Sequence, residues 1–191
     1  MRDATGDRSL QRAVQMNSRN EVLIREAKAS DVAELARLRW DSRVEEQSGC
    51  SREAFLRECD TWLREKLVSS SWFMAVAESG SRLSGSMFLQ FVEKVPSPGA
   101  TQRAWGYVTN SFVDPQYRGQ GIGEQLLRLV IRAARNRDLE FLIVWPSAAA
   151  VAFYRRAGFG HVSEVHVGFD DEPPLELMLP VAVDAEPPTT A

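Results

Sequence analysis

The sequence predicts a single α/β domain built on a mixed, mostly antiparallel central sheet with helices on both faces. Three observations predict it. Strand-like runs follow one another from Trp72 to Val113 with only short turns between them, which suits an antiparallel meander. A glycine-rich turn over 118–123 then opens a strongly patterned helix. After that helix comes Phe141-Leu142-Ile143-Val144-Trp145, apolar on both faces, as in strands that are centrally buried and often paired in parallel.

Each element has its own local reason. Residues 1–20 are polar, have no apolar stretch of the signal-peptide kind, and read as a disordered leader. The domain is expected over 21–181, with a Pro- and Thr-rich tail over 182–191. Val22 to Ala27 is a short strand signal. Ser30 is placed to cap the first helix, with Asp31 in the first turn where the dipole favours a carboxylate. Val32, Leu35 and Leu38 give that helix its inner stripe. A second helix starts near Ser51, with Phe55, Cys59, Trp62 and Leu63 at helical spacing, so Cys59 reads as a core residue.

The meander is expected over Trp72–Ala77, Leu83–Val95 and Ala104–Val113, with Ser79-Gly80-Ser81 as a hairpin turn. The third helix carries Ile122, Leu126, Leu127, Val130, Ile131 and Ala134 inward. It ends among Arg132, Arg135 and Arg137, cations suited to a helix C-terminus. Ser147 is placed to cap a fourth helix over 148–157, and Gly158 sits where a glycine ends such a helix. Two last strands are expected at His161–Val167 and Leu175–Leu179.

Bulk properties exclude several classes. The formal net charge is −3 in 191 residues, with arginines interleaved among glutamates, so nothing marks a nucleic-acid face. No apolar run approaches the roughly 18 residues of a membrane span. Cys50 and Cys59 have neither zinc nor redox spacing, which favours a reducing, cytoplasmic setting and no metal.

The chemistry concentrates in Val113-Asp114-Pro115-Gln116-Tyr117-Arg118-Gly119-Gln120-Gly121-Ile122-Gly123. A strand runs into a turn whose glycines sit at the mouth of a helix. A helix start offers unpaired N–H groups and the positive dipole end. Gly121 and Gly123 have no Cβ, so phosphate oxygens can approach the backbone. The turn is not a P-loop, because no Gly-Lys-Ser/Thr follows. It is not the dinucleotide fingerprint either, because that spacing fails at Glu124. A diphosphate is the anion these features fit, and tight packing is the alternative use of such glycines.

Arg118-x-x-Gly121-x-Gly123 resembles the Arg/Gln-x-x-Gly-x-Gly/Ala signature of the GNAT acetyltransferase superfamily. Val113-Asp114-Pro115 resembles the family's strand-end bulge. Ala152-Phe153-Tyr154-Arg155-Arg156-Ala157-Gly158-Phe159 resembles its second signature, a tyrosine-bearing helix closed by Gly-Phe. The resemblance spans Val22 to Leu179. It implies a splayed V between the two central strands and acetyl-CoA as cofactor. Phe112 and Val113 would pair with the pantetheine arm as an added strand would. Arg118, Gly119, Gln120, Gly121, Ile122, Gly123 and Glu124 would hold the pyrophosphate. Ser147, Phe153, Tyr154 and Arg156 would complete the cofactor contacts, Ser147 standing where many relatives carry asparagine.

The resemblance also implies a mechanism. The Val113 amide would stabilise the oxygen that becomes negative, and Tyr154 would protonate the departing thiolate. Packing against Phe153 is the other use for Tyr154. Many relatives place a basic glutamate on the fourth strand, but Trp105 to Ser111 contains no carboxylate. Thr109, Asn110 or Ser111 would then hold a relaying water, with His166 as a further candidate. The acceptor is expected near Trp40, Asp41, Glu45, Glu46, Trp105, Tyr107, Thr109, Asn110 and Phe169. The acids among them suit a cationic amine. The implied partner is a small-molecule primary amine, an amino sugar of the antibiotic type first, in what is commonly a homodimeric family. Acetylation of a protein terminus or lysine, and non-catalytic coenzyme A binding, are the alternatives.

Overall fold

The computed structural model describes residues 22–99, 104–161 and 175–179. The leader, the tail, His166 and Phe169 lie outside the described residues. The elements run β1 (Val22–Glu26), α1 (Val32–Asp41), α2 (Arg52–Leu67), β2 (Trp72–Ser79), β3 (Arg82–Glu93), β4 (Ala104–Val113), α3 (Ile122–Asn136), β5 (Phe141–Val144), α4 (Ala148–Arg156), β6 (Gly160–His161) and β7 (Leu175–Met178). The strands form one sheet of hydrogen-bonded neighbours in the order β1-β2-β3-β4-β5-β7-β6. The described backbone falls into two compact units. The first holds 22–88 and 110–130, and the second holds 89–99, 104–109, 131–161 and 175–179, so β3 and β4 each pass through both.

In the first unit, β1 pairs antiparallel with β2, from Val22 opposite Ser79 to Glu26 opposite Ala75. Gly80 turns the β2–β3 hairpin at φ +62°, a left-handed value that glycine adopts without cost. Val32, Leu35 and Leu38 of α1 are buried as their spacing predicts, in a core with Leu63, Met74, Val76, Leu83 and Phe88. Cys59 packs against this core, and burial pushes its thiol above the ordinary range. Trp62 departs from the expected stripe. It is 37% exposed and meets Trp72 edge-on at 5.0 Å between ring centroids, while Leu56 takes the inward position.

The start of α1 also differs from expectation. Ser30 does not cap it. A single 3-10 turn, Ala29–Asp31, precedes the helix. The Asp31 carboxylate accepts the Lys28 N–H at 2.7 Å and two guanidinium bonds from Arg25 at 2.6 and 2.9 Å. Arg25 in turn holds Glu78 of β2 at 2.7 Å. Burial alone would raise the Asp31 pKa, but these donors more than offset it and hold the carboxyl below its usual range. A folded-state pKa below the unfolded one adds stability that is present above the unfolded pKa, near 4, and is lost as pH falls through the folded value. Asp31→Asn is therefore expected to cost about 2 kcal/mol in urea unfolding at pH 7, with the gap to wild type narrowing as pH falls below the unfolded value near 4. A gap unchanged down to pH 2 would remove the ionised carboxylate from the account.

In the second unit, β5 is flanked as its apolar faces predict. It pairs parallel with β4 through Gly106–Val108 opposite Leu142–Val144, and antiparallel with β7 through Phe141–Val144 opposite Met178–Leu175. The parallel pairing ends at Val108, while β4 continues to Val113. A Cβ on Gly106 would stand 2.5 Å from Leu142 Cδ2 and 2.7 Å from Leu89 Cδ1, so a side chain there would force these leucines to move. Trp105 stacks on Phe141, and Tyr107 meets Trp145 edge-on, with centroids 5.8 and 5.1 Å apart.

The inner stripe of α3 is buried at Ile122, Leu126, Leu127, Val130 and Ala134. At the end of α4, Gly158 takes φ +95° as a helix-closing glycine should. Ser147 occupies the position before α4 but makes no side-chain capping bond; its carbonyl accepts the Ala150 N–H at 2.8 Å instead.

Candidate active site

The site begins on β4. A regular strand alternates its faces, and β4 does not. Gly106 looks onto Leu89, whereas a Cβ on Gly85 would lie 3.3 Å from Val113 Cγ2 and from Leu126 Cδ1. Gly85 and Leu89 share parity along β3, yet Gly106 and Val113 differ in parity along β4. One residue must be out of step between them. It is Asn110, at φ +49°. Asparagine is one of the few side chains that visits this region readily. The irregularity therefore falls inside β4, upstream of the expected Val113-Asp114-Pro115. Beyond it, Phe112 turns towards the α1–α2 core.

The kink decides where the next amides point. The Asp114 N–H donates to Ser84 O of β3 at 2.9 Å. Successive N–H groups alternate edges along a strand, so the Val113 N–H points away from β3. The Val113 carbonyl shares that edge and accepts Arg118 Nε at 2.9 Å. The Arg118 guanidinium lies 5.9 Å from the Phe112 ring centre, and its amide is spent on Pro115 O at 3.3 Å. Arg118 thus supports the strand end through its Nε and its amide.

The turn itself is a cradle. The Asp114 side chain accepts the Gln116 N–H at 3.3 Å and Tyr117 N–H closes on Asp114 O at 2.8 Å, forming a 3-10 turn over Pro115–Tyr117. Gly119 and Gly121 then adopt φ +76° and +74°, and a Cβ on either would meet nothing within 4 Å. The space beside them is open. The first helical bond at this end runs from Gln125 N–H to Gly121 O at 3.1 Å, so the amides of Ile122, Gly123 and Glu124 precede the intrahelical ladder. These amides, the α3 dipole and the bare glycines suit a diphosphate. The left-handed state of Gly119 was not foreseen; the pattern Gly-x-Gly before a helix was the signal for it. The Glu124 carboxylate is exposed and pairs with Arg128 one turn on, so only its amide belongs to the cradle.

The candidate residues of α4 belong to the other unit. Tyr154 is 2% exposed, edge-on to Phe153 at 4.9 Å and to Phe159 at 5.3 Å between ring centroids. Two aromatic neighbours fix its ring. Arg156 is exposed in the last turn of α4.

The acidic residues expected to attract an amine are largely compensated. Asp41 is held by Arg37 at 2.7 Å and Glu46 by Arg43 at 2.8 Å. Glu45 is exposed, and Trp40 packs on Phe55 at 5.4 Å. Arg37 also donates to Leu83 O at 2.7 Å and to Glu34, tying α1 to the β2–β3 hairpin. Asn110 does not present its side chain for a water relay. Its Oδ1 accepts from Arg39 at 3.1 Å, and its Nδ2 lies 3.4 Å from Ser86 Oγ. Among the described residues no group of His, Cys, Asp and Glu could hold a metal ion, and no helix is long and apolar enough to cross a membrane.

A mixed sheet with its parallel pair cut short and an amide cradle at a helix mouth are the features the described residues offer. Residues 32–159 match the Acetyltransferase (GNAT) family. The chain belongs to that family of acetyltransferases, whose cofactor is acetyl-CoA. It is 32% identical over 78 residues to a glucosamine 6-phosphate N-acetyltransferase of Trypanosoma brucei brucei, a stretch covering 41% of this chain and 51% of that one. It is 40% identical over 48 residues to the histone acetyltransferase TAP1 of Glycine max, covering 25% of this chain and 21% of that one. The chain thus spans about a fifth to a half of the length of these curated relatives. An acetyltransferase of Clostridium acetobutylicum, solved with acetyl-CoA, shares the fold with a TM-score of 0.64 at 20% identity, over 76% of this chain and 94% of that one.

Proposed function

We propose that the chain is an acetyl-CoA-dependent N-acetyltransferase that acts on a primary amine of a small molecule by direct attack in a ternary complex. The observation that carries this is the cradle: left-handed Gly119 and Gly121 beside the first amides of α3, next to a strand whose Val113 N–H points away from β3.

The bound cofactor supplies an activated acetyl thioester. The amides from Gly119 to Glu124 hold its pyrophosphate. The backbone of Phe112 and Val113 aligns its arm as an added strand would be aligned. The Val113 N–H donates to the acetyl oxygen as negative charge develops there. Tyr154 gives a proton to the departing sulfur. A free amine of ordinary basicity, with a pKa of roughly 10, is almost fully protonated at neutral pH and must lose a proton first. With Asn110 engaged by Arg39 and Ser86, Thr109 or Ser111 is the hydroxyl assigned to hold the relaying water. Ser147, uncommitted as a cap, is assigned to the pantetheine.

An amino sugar is the first choice of acceptor, in keeping with the similarity to a glucosamine 6-phosphate N-acetyltransferase. The similarity to a histone acetyltransferase keeps peptide acceptors in the test. Purified protein is given acetyl-CoA and, in turn, amino sugars, polyamines, amino acids, an N-terminal peptide and a lysine peptide, and thiol release is followed. A small amine is expected to raise release at least about tenfold over the amine-free rate, a low bar against typical catalytic enhancement. Release with peptides alone would make this a protein acetyltransferase. Release with none would leave a coenzyme A-binding module.

A further inference from the structure

We infer that Arg39 and Ser86 are positioning residues for acetyl transfer, acting through the left-handed conformation of Asn110. The inference rests on the reading of Val113 given above and adds to it what holds that amide in place.

The geometry carries the argument. Asn110 is one of two non-glycine residues at positive φ among the described residues, and it alone lies within a strand. Asparagine reaches that region more readily than other side chains, but within a strand it still costs free energy, and its surroundings are what hold it there. Here they do so from both sides. Arg39 Nη1, from α1, donates to Asn110 Oδ1 at 3.1 Å. Ser86, from β3 and 1% exposed, sits against the same residue: its Oγ lies 3.4 Å from Asn110 Nδ2 and donates to Asn110 O at 3.5 Å. A helix and the neighbouring strand therefore grip one peptide. The register that follows depends on it. Phe112 faces the α1–α2 core, Asp114 bonds back to Ser84, and the Val113 N–H is left on the edge away from β3. Without the kink, regular alternation would exchange the faces of Phe112 and Val113 and reverse the edge to which the Val113 N–H points.

Glycine separates this role from others, because it takes positive φ without side-chain support. Valine opposes it, because a β-branched residue resists that region. Acetyl transfer and coenzyme A affinity are measured for Arg39→Met, Arg39→Lys, Asn110→Gly, Asn110→Val and the double variant Arg39→Met with Asn110→Gly. Arg39→Met is expected to lower kcat about tenfold, with the dissociation constant of coenzyme A within about twofold of wild type. Arg39→Lys, which keeps a donor, should recover most of that loss. Asn110→Val should lose more than Arg39→Met, and Asn110→Gly less.

The deciding comparison is the double variant. In the Asn110→Gly background, Arg39→Met should cost less than about twofold, because the two act as one unit. An Arg39 effect of equal size in both backgrounds would overturn the inference, since Arg39 would then act on the acceptor or on α1 directly. An active Asn110→Val enzyme would overturn it too. If wild type releases no thiol with any amine, the acetyltransferase reading fails by itself. The positioning can still be read in the amide resonance and hydrogen exchange of Val113, which Arg39→Met should change in the wild-type background and leave unchanged in the Asn110→Gly background.

Discussion

Gly121→Val should weaken coenzyme A binding about a hundredfold in calorimetry while leaving the protein folded. Two effects add. A β-branched residue is forced out of the left-handed region, at about 1–2 kcal/mol, so the turn changes shape. The amides that follow then no longer converge on the phosphates, and a charge-assisted bond of this kind contributes about 1.5–3 kcal/mol. Folding is spared because a Cβ at Gly121 meets nothing within 4 Å. Gly123 offers a sharper form of the test. It lies in the first turn of α3, where its φ is helical and alanine is the better helix former by about 1 kcal/mol. Gly123→Ala should therefore raise the melting temperature and still weaken coenzyme A binding, because its methyl group intrudes where phosphate oxygens approach. If both variants bind coenzyme A as wild type does, the cradle holds no diphosphate.

Tyr154→Phe should lower kcat about a hundredfold or more, the range that a positioned acid supplies, with coenzyme A affinity within about twofold of wild type. The phenyl ring keeps the edge-on contacts to Phe153 and Phe159. That separation is what makes the variant informative. Tyr154 is 2% exposed, and burial of that degree is also what plain packing would give. A variant that turns over at the wild-type rate would leave Tyr154 as a core aromatic and require another proton donor.

Most of the architecture was legible because it rests on local periodicity. The stripes of α1 and α3, the hairpin at Gly80 and the doubly apolar β5 are each spelled out over a few neighbouring residues. The amide cradle was legible for a related reason: glycine spacing at a helix mouth constrains backbone geometry directly. What escaped the sequence depended on partners far along the chain. Tyr107-Val108-Thr109-Asn110-Ser111 reads as an unbroken strand, and only contacts from Arg39 and Ser86 fix the left-handed residue within it. The capping role of Ser30 failed because Arg25 and Lys28 draw the chain into a 3-10 turn around Asp31. The partners of two of the acids were legible too: Arg37 stands four residues before Asp41 and Arg43 three before Glu46, both pairing distances on a helical turn.

The bond from Arg118 to the Val113 carbonyl gives the family's signature a second meaning. The motif admits arginine or glutamine at its first position, a strange pair for a phosphate ligand because one is charged and the other is not. As props for a carbonyl oxygen they are equivalent, since each carries an N–H donor on a side chain long enough to bridge a short loop. The motif would then begin with a brace for the strand's last rung, and its grip on the anion would start only with the glycines.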